Sequence, residues 1–594
     1  MSLIFDLETD GLLNQLTKIH CIAILDTEQT DRRVNANKIY HGEDGIKEAL
    51  DLLKNADEII GHNIINFDIP AIQKVVPGWK PKGRITDTIV LSRLIHADLM
   101  NEDATSVSLP EDFQKRMWGS HSLKAWGLRM GTMKGDYDGG WETCNQDMLD
   151  YCQQDVTVTY KLYKKLLIDS DAFSDESIEL EHELAHICNE IGNNGWTFDV
   201  DAANALYAEL AKKRIALEKE LDVLFEPWEV VTTFIPKRDN KTLGYKKGEP
   251  YDKVKVVEFN PNSRKHIHRC LVEKYGWKPK EFTPSGDAKI DENVLNALPY
   301  PEAKKLALFF LIQKRIAMLA EGNQGWLKVC DSDGRIRHSI VSQGTVSGRA
   351  AHRSPNLGQV PSTRAAYGKQ CRDLFTVPRG WVLLGSDLSG LELRVLAHFL
   401  QDGGEYAKQI LEGDIHTYNQ KAAGLKTRAE AKTFIYATMY GGGDGLIGSL
   451  VGGTAKDGRK LKRDFEQAIP AFKSLKSELK RAYDGRGYLK GIDGRKLFVR
   501  SEHRCLSQLL QSAGAILCKK WVALVHDEIK NQNLEAEILG WIHDEVQIAC
   551  RTKEVANHVG NITGRMAKEA GDHFQIRIPI ESEHELGRTW SDTH

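Results

Sequence analysis

Arg428, Lys432 and Tyr436 recur at i, i+4 and i+8 in Arg428-Ala-Glu-Ala-Lys432-Thr-Phe-Ile-Tyr436. At about 100° per residue such positions drift only about 80° around a helix, so the three share one face. An arginine and a lysine on that face can hold a triphosphate, and an aromatic ring one turn on can stack under a base or sugar. Two acidic motifs flank this run. The apolar stretch Trp381-Val-Leu-Leu384 predicts a buried strand with Asp387 at its end. In Gly540-Trp-Ile-His543-Asp544-Glu545-Val546-Gln-Ile548, apolar residues enclose three polar ones, which predicts a tight hairpin with acids at its tip. Phosphoryl transfer to a hydroxyl needs two carboxylates from separate elements. Asp387 and Asp544 are the candidates to hold two Mg²⁺ ions about 4 Å apart, one activating the hydroxyl and one neutralising the leaving pyrophosphate.

The amino-terminal region carries a second set of acids. In Ser2-Leu-Ile-Phe-Asp6-Leu-Glu8, positions i and i+2 of a strand place Asp6 and Glu8 on one side. Gly61-His-Asn-Ile-Ile-Asn-Phe-Asp68 adds a third acid after an apolar strand, and Tyr151 precedes a fourth, Asp155, by one helical turn. Four carboxylates and a tyrosine in this order resemble the DEDDy 3′–5′ exonucleases. That resemblance implies two metal ions held by Asp6, Glu8, Asp68 and Asp155, with Tyr151 positioning the attacking water.

The elements that must position these groups are legible in outline. A chain of 594 residues implies several domains. Short alternating strands and helices fill residues 1–170, as expected of an α/β nuclease fold. Ser174-Asp175 then caps a helix with Leu180, Leu184, Ile187 and Ile191 on one face, and a further helix carries Leu210, Leu217, Leu221 and Leu224. Between Pro227 and Lys255 the periodicity fails and lysines dominate, predicting an exposed basic loop or hairpin. A further basic cluster, Lys456, Arg459, Lys460, Lys462 and Arg463, follows a glycine-rich stretch. The net charge of −3 does not advertise nucleic acid, which local basic surfaces can bind regardless. Ten scattered cysteines without metal-binding spacing read as reduced thiols. The lack of an apolar run of about 18 residues and of a signal-peptide pattern argues against secretion and membrane insertion.

Taken in order, Asp387…Glu392-Leu-Arg394, Arg428…Lys432…Tyr436 and His543-Asp544-Glu545 resemble motifs A, B and C of a family A DNA polymerase, the bacterial DNA polymerase I type. Ser389-Gly-Leu-Glu-Leu-Arg394, Gly413-Asp-Ile-His416-Thr417 and Leu509-Leu-Gln511-Ser-Ala-Gly-Ala515 are most similar to the replicative polymerases of short-tailed phages of the T-seven type. The resemblance covers nearly the whole chain. It implies an α/β multidomain protein: an RNase H-like DEDDy exonuclease domain over 1–170, then a right-hand polymerase domain over 171–594. The thumb would span about 200–335, the palm about 336–400 and 500–594, and the fingers about 401–499.

The resemblance also implies roles. His416, Arg428 and Lys432 would bind dNTP phosphates; Glu392 would crowd a 2′-hydroxyl, with Tyr436 stacked nearby. Arg349, Gln359, Gln511 and His543 would contact the primer–template, and Glu545 would support the metal ions from beyond their direct ligands. Two Mg²⁺ ions would serve each site. Implied partners are primer–template DNA, dNTPs, a phage helicase–primase and a single-stranded DNA-binding protein, for a monomer acting in the cytoplasm of the infected bacterial host. The T-seven type recruits host thioredoxin through a much longer basic thumb insertion, and the truncated one here argues against thioredoxin dependence. A single-subunit RNA polymerase would share the palm acids, lysine and tyrosine, but would normally lack the DEDDy domain. A nuclease with a degenerate carboxy-terminal half would have lost Asp387, Lys432 or Asp544, and none is missing.

Overall fold

The computed structural model of the chain describes residues 1–31, 37–111 and 113–594, which form two compact units. The first comprises Met1–Trp196, Arg337–Val360 and Thr376–His594; the second comprises Thr197–Ile336 and Pro361–Phe375.

The amino-terminal part of the first unit is built on five strands: β1 (Ser2–Thr9), β2 (Ile19–Asp26), β3 (Asn37–His41), β4 (Glu58–Gly61) and β5 (Arg84–Asp87). Their order is β3-β2-β1-β4-β5, with β1 central, antiparallel to β2 and parallel to β4. Strand alternation sends Leu3, Phe5 and Leu7 into one apolar core and Ile4 into another, on the opposite face. Asp6 and Glu8 share the face of Ile4, under the helix that buries Met148, Leu149, Cys152 and Val156. The helices that bear on the site are α1 (Asp68–Val75), between β4 and β5, and then α2 (Leu123–Arg129), α3 (Gln146–Asp169) and α4 (Asp175–Asn194). Asn145 caps α3 and Ser174 caps α4 through their side-chain oxygens. Gly61 ends β4 where a Cβ would lie 2.9 Å from the Phe5 carbonyl oxygen, so only glycine lets the chain turn this close to β1.

In the second unit, α5 (Val200–Leu224) packs on α6 (Pro301–Ile316). The first buries Ala203, Leu206, Leu210, Leu217 and Leu221; the second buries Leu306, Phe309 and Ile312. The basic stretch after α5 is a two-stranded hairpin, β6 (Trp228–Phe234) and β7 (Tyr251–Val257), in register from Trp228↔Val257 to Phe234↔Tyr251. Phe234, Tyr245 and Tyr251 meet edge to face with ring centroids 5.2–5.8 Å apart, closing its turn end.

The remainder of the first unit holds β8 (Val382–Leu388), α7 (Leu391–Phe399), α8 (Ile415–Ala423), α9 (Arg428–Met439), α10 (Ala455–Ala468), the hairpin β9 (Tyr488–Lys490) and β10 (Lys496–Phe498), α11 (Cys505–Asn531), β11 (Ala536–Ile542), β12 (Glu545–Cys550), α12 (Lys553–His573) and β13 (Ser582–Gly587). An antiparallel sheet of order β11-β12-β8-β13 lies against α11 and α12. Its core includes Leu384, Val546, Ile548, Trp521 and Ile562. Strand β8 carries Asp387 at its end as expected, because pairing with β12 and β13 continues past the apolar stretch through Asp387 and, on β13, Leu388.

A buried charge cluster ties distant segments of this unit together. Glu181 on α4 accepts from Arg495 Nη1 at 2.7 Å, from the Lys519 ammonium on α11 and from Ser342 Oγ at 2.8 Å. Arg495 also donates to Asp493 at 2.7 Å, so two acids balance two bases in a dry interior. Burial alone would push Glu181 up, yet Lys519 and Arg495 hold it down at about 2. Removing one member of such a cluster strands its partners, at a cost of about 3–5 kcal/mol. Urea melting of Glu181→Ala is expected to show a loss of that size. Glu181→Ala/Lys519→Met should lose less than the two single losses added together. A strictly additive or larger loss would show that the charges do not act as one group.

Two candidate active sites

The sheet order puts β1 beside α3, and the four expected acids of the amino-terminal region converge there. Asp6 and Glu8 project from β1; Asp68 opens α1, and Asp155 lies on α3 one turn after Tyr151. Ligand atoms of Asp6, Glu8 and Cys152 lie within 4.8 Å of one another. Cys152 donates from Sγ to the Asp6 carbonyl at 3.4 Å, which seats α3 on β1. Burial, then Asp155, pushes Asp6 up to about 7. Burial, then Asp6, pushes Glu8 up to about 10, and burial, Asp6 and Asp87 raise Asp68 well above the carboxylate range. Asp155 is raised by burial too, and its Oδ1 is buried without a partner. Oxygen donors crowded in this way fit a hard divalent cation.

Two residues at this site carried no signal in the sequence. Asp87, at the end of β5, accepts from the backbone N–H groups of Asn63 at 2.7 Å, Ile65 at 3.1 Å and Ile89 at 3.0 Å. It thereby fixes the turn that presents Asp68. Lys134, in the segment between α2 and α3, is ion-paired with Asp155, with its ammonium 4.8 Å from the centre of the Tyr151 ring. Burial pulls this lysine down, but Asp155 and Asp6 outweigh it and raise it. Beyond Lys134 opens a cavity of about 860 Å³, lined among others by His62, Asn63, Arg93, Trp118 and Arg353.

The second cluster forms where β8 lies beside the β11–β12 hairpin. Asp387 pairs in register with Glu545, and the Leu388 N–H donates to the Asp544 carbonyl at 3.1 Å, which brings Asp387 and Asp544 together. The turn between the strands is His543-Asp544, with Glu545 already inside β12. His543 takes φ +61°, and its carbonyl accepts from Trp541 Nε1 at 3.1 Å and Cys518 Sγ at 3.2 Å. Partial burial, then Asp544, lifts Asp387 to about 7; burial, then Glu392, lifts Asp544 to about 6. Glu545 differs. Burial pushes it up, but His594 outweighs this, with Gln547 and Trp590, and it stays below the usual glutamate value. Its carboxylate contacts Gln547 Nε2 at 2.6 Å, Trp590 Nε1 at 2.7 Å and His594 Nδ1 at 2.7 Å.

Arg349, Glu392, His543 and Asp544 line a cavity of about 250 Å³; Gln359 and Gln511 do not line it. Gln359 ends a short helical turn and is exposed, and Gln511 is half-buried on α11. Glu392 accepts from Tyr440 Oη at 2.8 Å and lies 3.5 Å from Arg349 Nη2. Tyr440 is thus a third unanticipated group, one turn after Tyr436 on the same helical stretch.

Arg428, Lys432 and Tyr436 do fall on one helix, α9, whose first turn is closed by a capping box between Thr427 and Glu430. Arg428 Nε reaches Asp414 Oδ2 at 2.7 Å, across to the cap of α8. Lys432 is exposed, and the His416 and Tyr436 rings lie 6.5 Å apart. Burial, then Arg428 and Lys432, holds His416 below the ordinary histidine value. A trio of two bases and a histidine at two helix amino-termini suits a polyanion.

Comparison with known proteins agrees with this geometry. The family model for DNA polymerase family A matches residues 239–592, and that for the RNase H superfamily matches residues 3–167. The chain is 35% identical to the DNA-directed DNA polymerase of Enterobacteria phage T3 and 34% identical to that of Escherichia phage T7, each over all of both chains. DNA polymerase I of Aquifex aeolicus is 24% identical over 96% of this chain and 95% of its own. Among solved structures, the POL domain of Pol1 from M. smegmatis superposes with a TM-score of 0.75 over 99% of this chain and 96% of its own, at 16% identity. The chain is a template-directed DNA polymerase with an RNase H-like exonuclease domain, and it belongs to DNA polymerase family A.

Proposed function

We propose that Asp387 and Asp544 are the metal-binding acids of DNA synthesis, and that Asp6, Glu8, Asp68 and Asp155 are those of a 3′–5′ proofreading exonuclease. The observation that carries this is the convergence of Asp387 and Asp544 from separate strands, with Asp387 in register opposite Glu545 and the Leu388 N–H on the Asp544 carbonyl; their burial beside other acids favours a cation. Carboxylate oxygens from separate strands fit Mg²⁺. When bound, two ions at each site would lower the pKa of the attacking hydroxyl or water and neutralise the departing group.

The side chains do the rest. His416, Arg428 and Lys432 bind the triphosphate of a dNTP, Arg428 exchanging Asp414 for phosphate, and Lys432 neutralises the leaving pyrophosphate. Glu392, held by Tyr440 and Arg349, crowds a 2′-hydroxyl and so favours deoxynucleotides. Tyr436 stacks beside it. Arg349, Gln359, Gln511 and His543 contact the primer–template, Gln511 through minor-groove acceptors common to all Watson–Crick pairs. Glu545, gripped by Gln547, Trp590 and His594, steadies the hairpin that bears Asp544. Tyr151 positions the hydrolytic water.

This reading takes support from the phage T3 and T7 relatives, and from the M. smegmatis domain, which is described in complex with DNA primer-template and dNTP. It divides the chain into an exonuclease domain over 1–170 and a polymerase domain over 171–594, acting on phage DNA as a monomer in the infected host, beside a helicase–primase and a single-stranded DNA-binding protein. Among the described residues no helix is long and apolar enough to cross a membrane. The short β6–β7 hairpin takes over the role that a longer thioredoxin-binding insertion plays in the T-seven type, its lysines contacting DNA phosphates directly.

Asp544→Ala is expected to lower primer extension at least about a thousandfold while sparing single-strand cleavage, and Asp6→Ala/Glu8→Ala to do the reverse. Loss of both activities in either variant would show the two sites to be one machine or the chain misfolded. Tyr436→Phe should sharply reduce dideoxynucleotide incorporation relative to deoxynucleotide; equal ratios in both forms would remove Tyr436 from the sugar site. Replacing Lys241, Lys246 and Lys247 with Ala should flatten the slope of log affinity for primed DNA against log salt by about 0.9 for each phosphate no longer neutralised, and an unchanged slope would take the hairpin off the DNA.

A further inference from the structure

Lys134 stands between two features that otherwise only adjoin. On one side are the four acids, and on the other is the 860 Å³ cavity whose lining it joins. It lowers the charge burden of Asp6, Glu8 and Asp155 alike, and among the described residues it is the one cation that recurs in the surroundings of all three acids. Its side chain is 22% exposed against 2% for Asp155, so the residue stays accessible at the cavity lining while its ammonium reaches inward to Asp155. The Tyr151 ring beside the ammonium provides a second resting place for the charge, independent of Asp155. Asp155 Oδ1 is buried and without a partner.

We propose that Lys134 is a displaceable counter-ion that becomes a phosphate-binding catalytic residue of the exonuclease; the inference rests on the exonuclease reading above. Without metal, its ammonium occupies Asp155 and keeps four crowded carboxylates from repelling one another. With Asp6, Glu8, Asp68 and Asp155 holding divalent cations, Asp155 would no longer be available to it. The ammonium remains over the Tyr151 ring at the mouth of the cavity, where the scissile phosphate of a single strand must enter. There it donates to a non-bridging phosphate oxygen and offsets the charge that builds on it. In the cleavage itself, a water oxygen forms a bond to phosphorus and the phosphorus–O3′ bond breaks. One water proton ends on the 3′ oxygen of the shortened strand, and the remaining hydroxyl stays on the released 5′-nucleotide. Lys134 stays protonated throughout.

The assignment separates metal binding from turnover, which a merely structural lysine would not do. The test uses the full chain carrying Asp387→Ala/Asp544→Ala, so that Mn²⁺ followed by electron paramagnetic resonance titrates the amino-terminal acids. Lys134→Met is expected to bind Mn²⁺ about tenfold more tightly, because a competing positive charge has been removed. In the otherwise unaltered chain it should lower kcat for single-strand cleavage about a hundredfold with little change in KM, and leave primer extension intact. Lys134→Arg, which keeps the charge, should retain kcat within about tenfold. Unchanged or weaker Mn²⁺ binding in Lys134→Met, or cleavage within about threefold of the unaltered chain, overturns the proposal. If the unaltered chain fails to cleave single strands at all, the exonuclease reading itself falls instead.

Discussion

Like charges forced together in a partly dry interior are the constraint on which the rest of this structure depends. In the amino-terminal region Asp155 raises Asp6 and Glu8, and Asp6 raises Glu8 and Asp68; around the second site Asp544 raises Asp387, and Glu392 raises both Asp387 and Asp544. Neither cluster gains stability from its own acids, so surrounding structure must hold them in place. On one side, Asp87 clamps the turn before Asp68 through the backbone N–H groups of Asn63 and Ile65, and Cys152 seats α3 on β1. On the other, strand pairing fixes Asp387 opposite Glu545, and Trp541 and Cys518 both grip the carbonyl of His543. The neutralised cluster around Glu181 then ties α4, the β9–β10 hairpin and α11 together.

Much of this was readable because each site motif is local. A period of two placed Asp6 and Glu8 on one face of a strand, and the opposing core of Leu3, Phe5 and Leu7 shows why that face had to be theirs. A period near four placed Arg428, Lys432 and Tyr436 on one helix, and the pair Tyr151 and Asp155 on another. The hairpin tip at Asp544 followed from apolar residues on both sides of a short polar run. Strand β8 carries Asp387 at its end as expected, but that polar end is held by neighbours almost 160 and 200 residues away, which its own composition does not show.

The groups that sequence reasoning missed act over long separations. Lys134 gains meaning only because Asp155 folds back onto it, and nothing in its own neighbourhood marks it. Tyr440 became visible only when Glu392 was found to accept its hydroxyl, and Trp590 and His594 only when the carboxy-terminal segment met Glu545. Glu181, Arg495 and Lys519 are of residue types that mostly lie at the surface, yet all three are buried. Arg428 presents a different surprise. Its expected ligand is a phosphate, and in this structure an acid of the neighbouring helix cap stands in that place.

The account stands most directly on both acid clusters being cation sites in one chain. Anomalous diffraction from crystals grown with Mn²⁺ tests this without any activity measurement. It predicts peaks between Asp387 and Asp544 and among Asp6, Glu8, Asp68 and Asp155, at about 2.0–2.3 Å from carboxylate oxygens. Crystals saturated with Mn²⁺ but without a peak between Asp387 and Asp544 would contradict it.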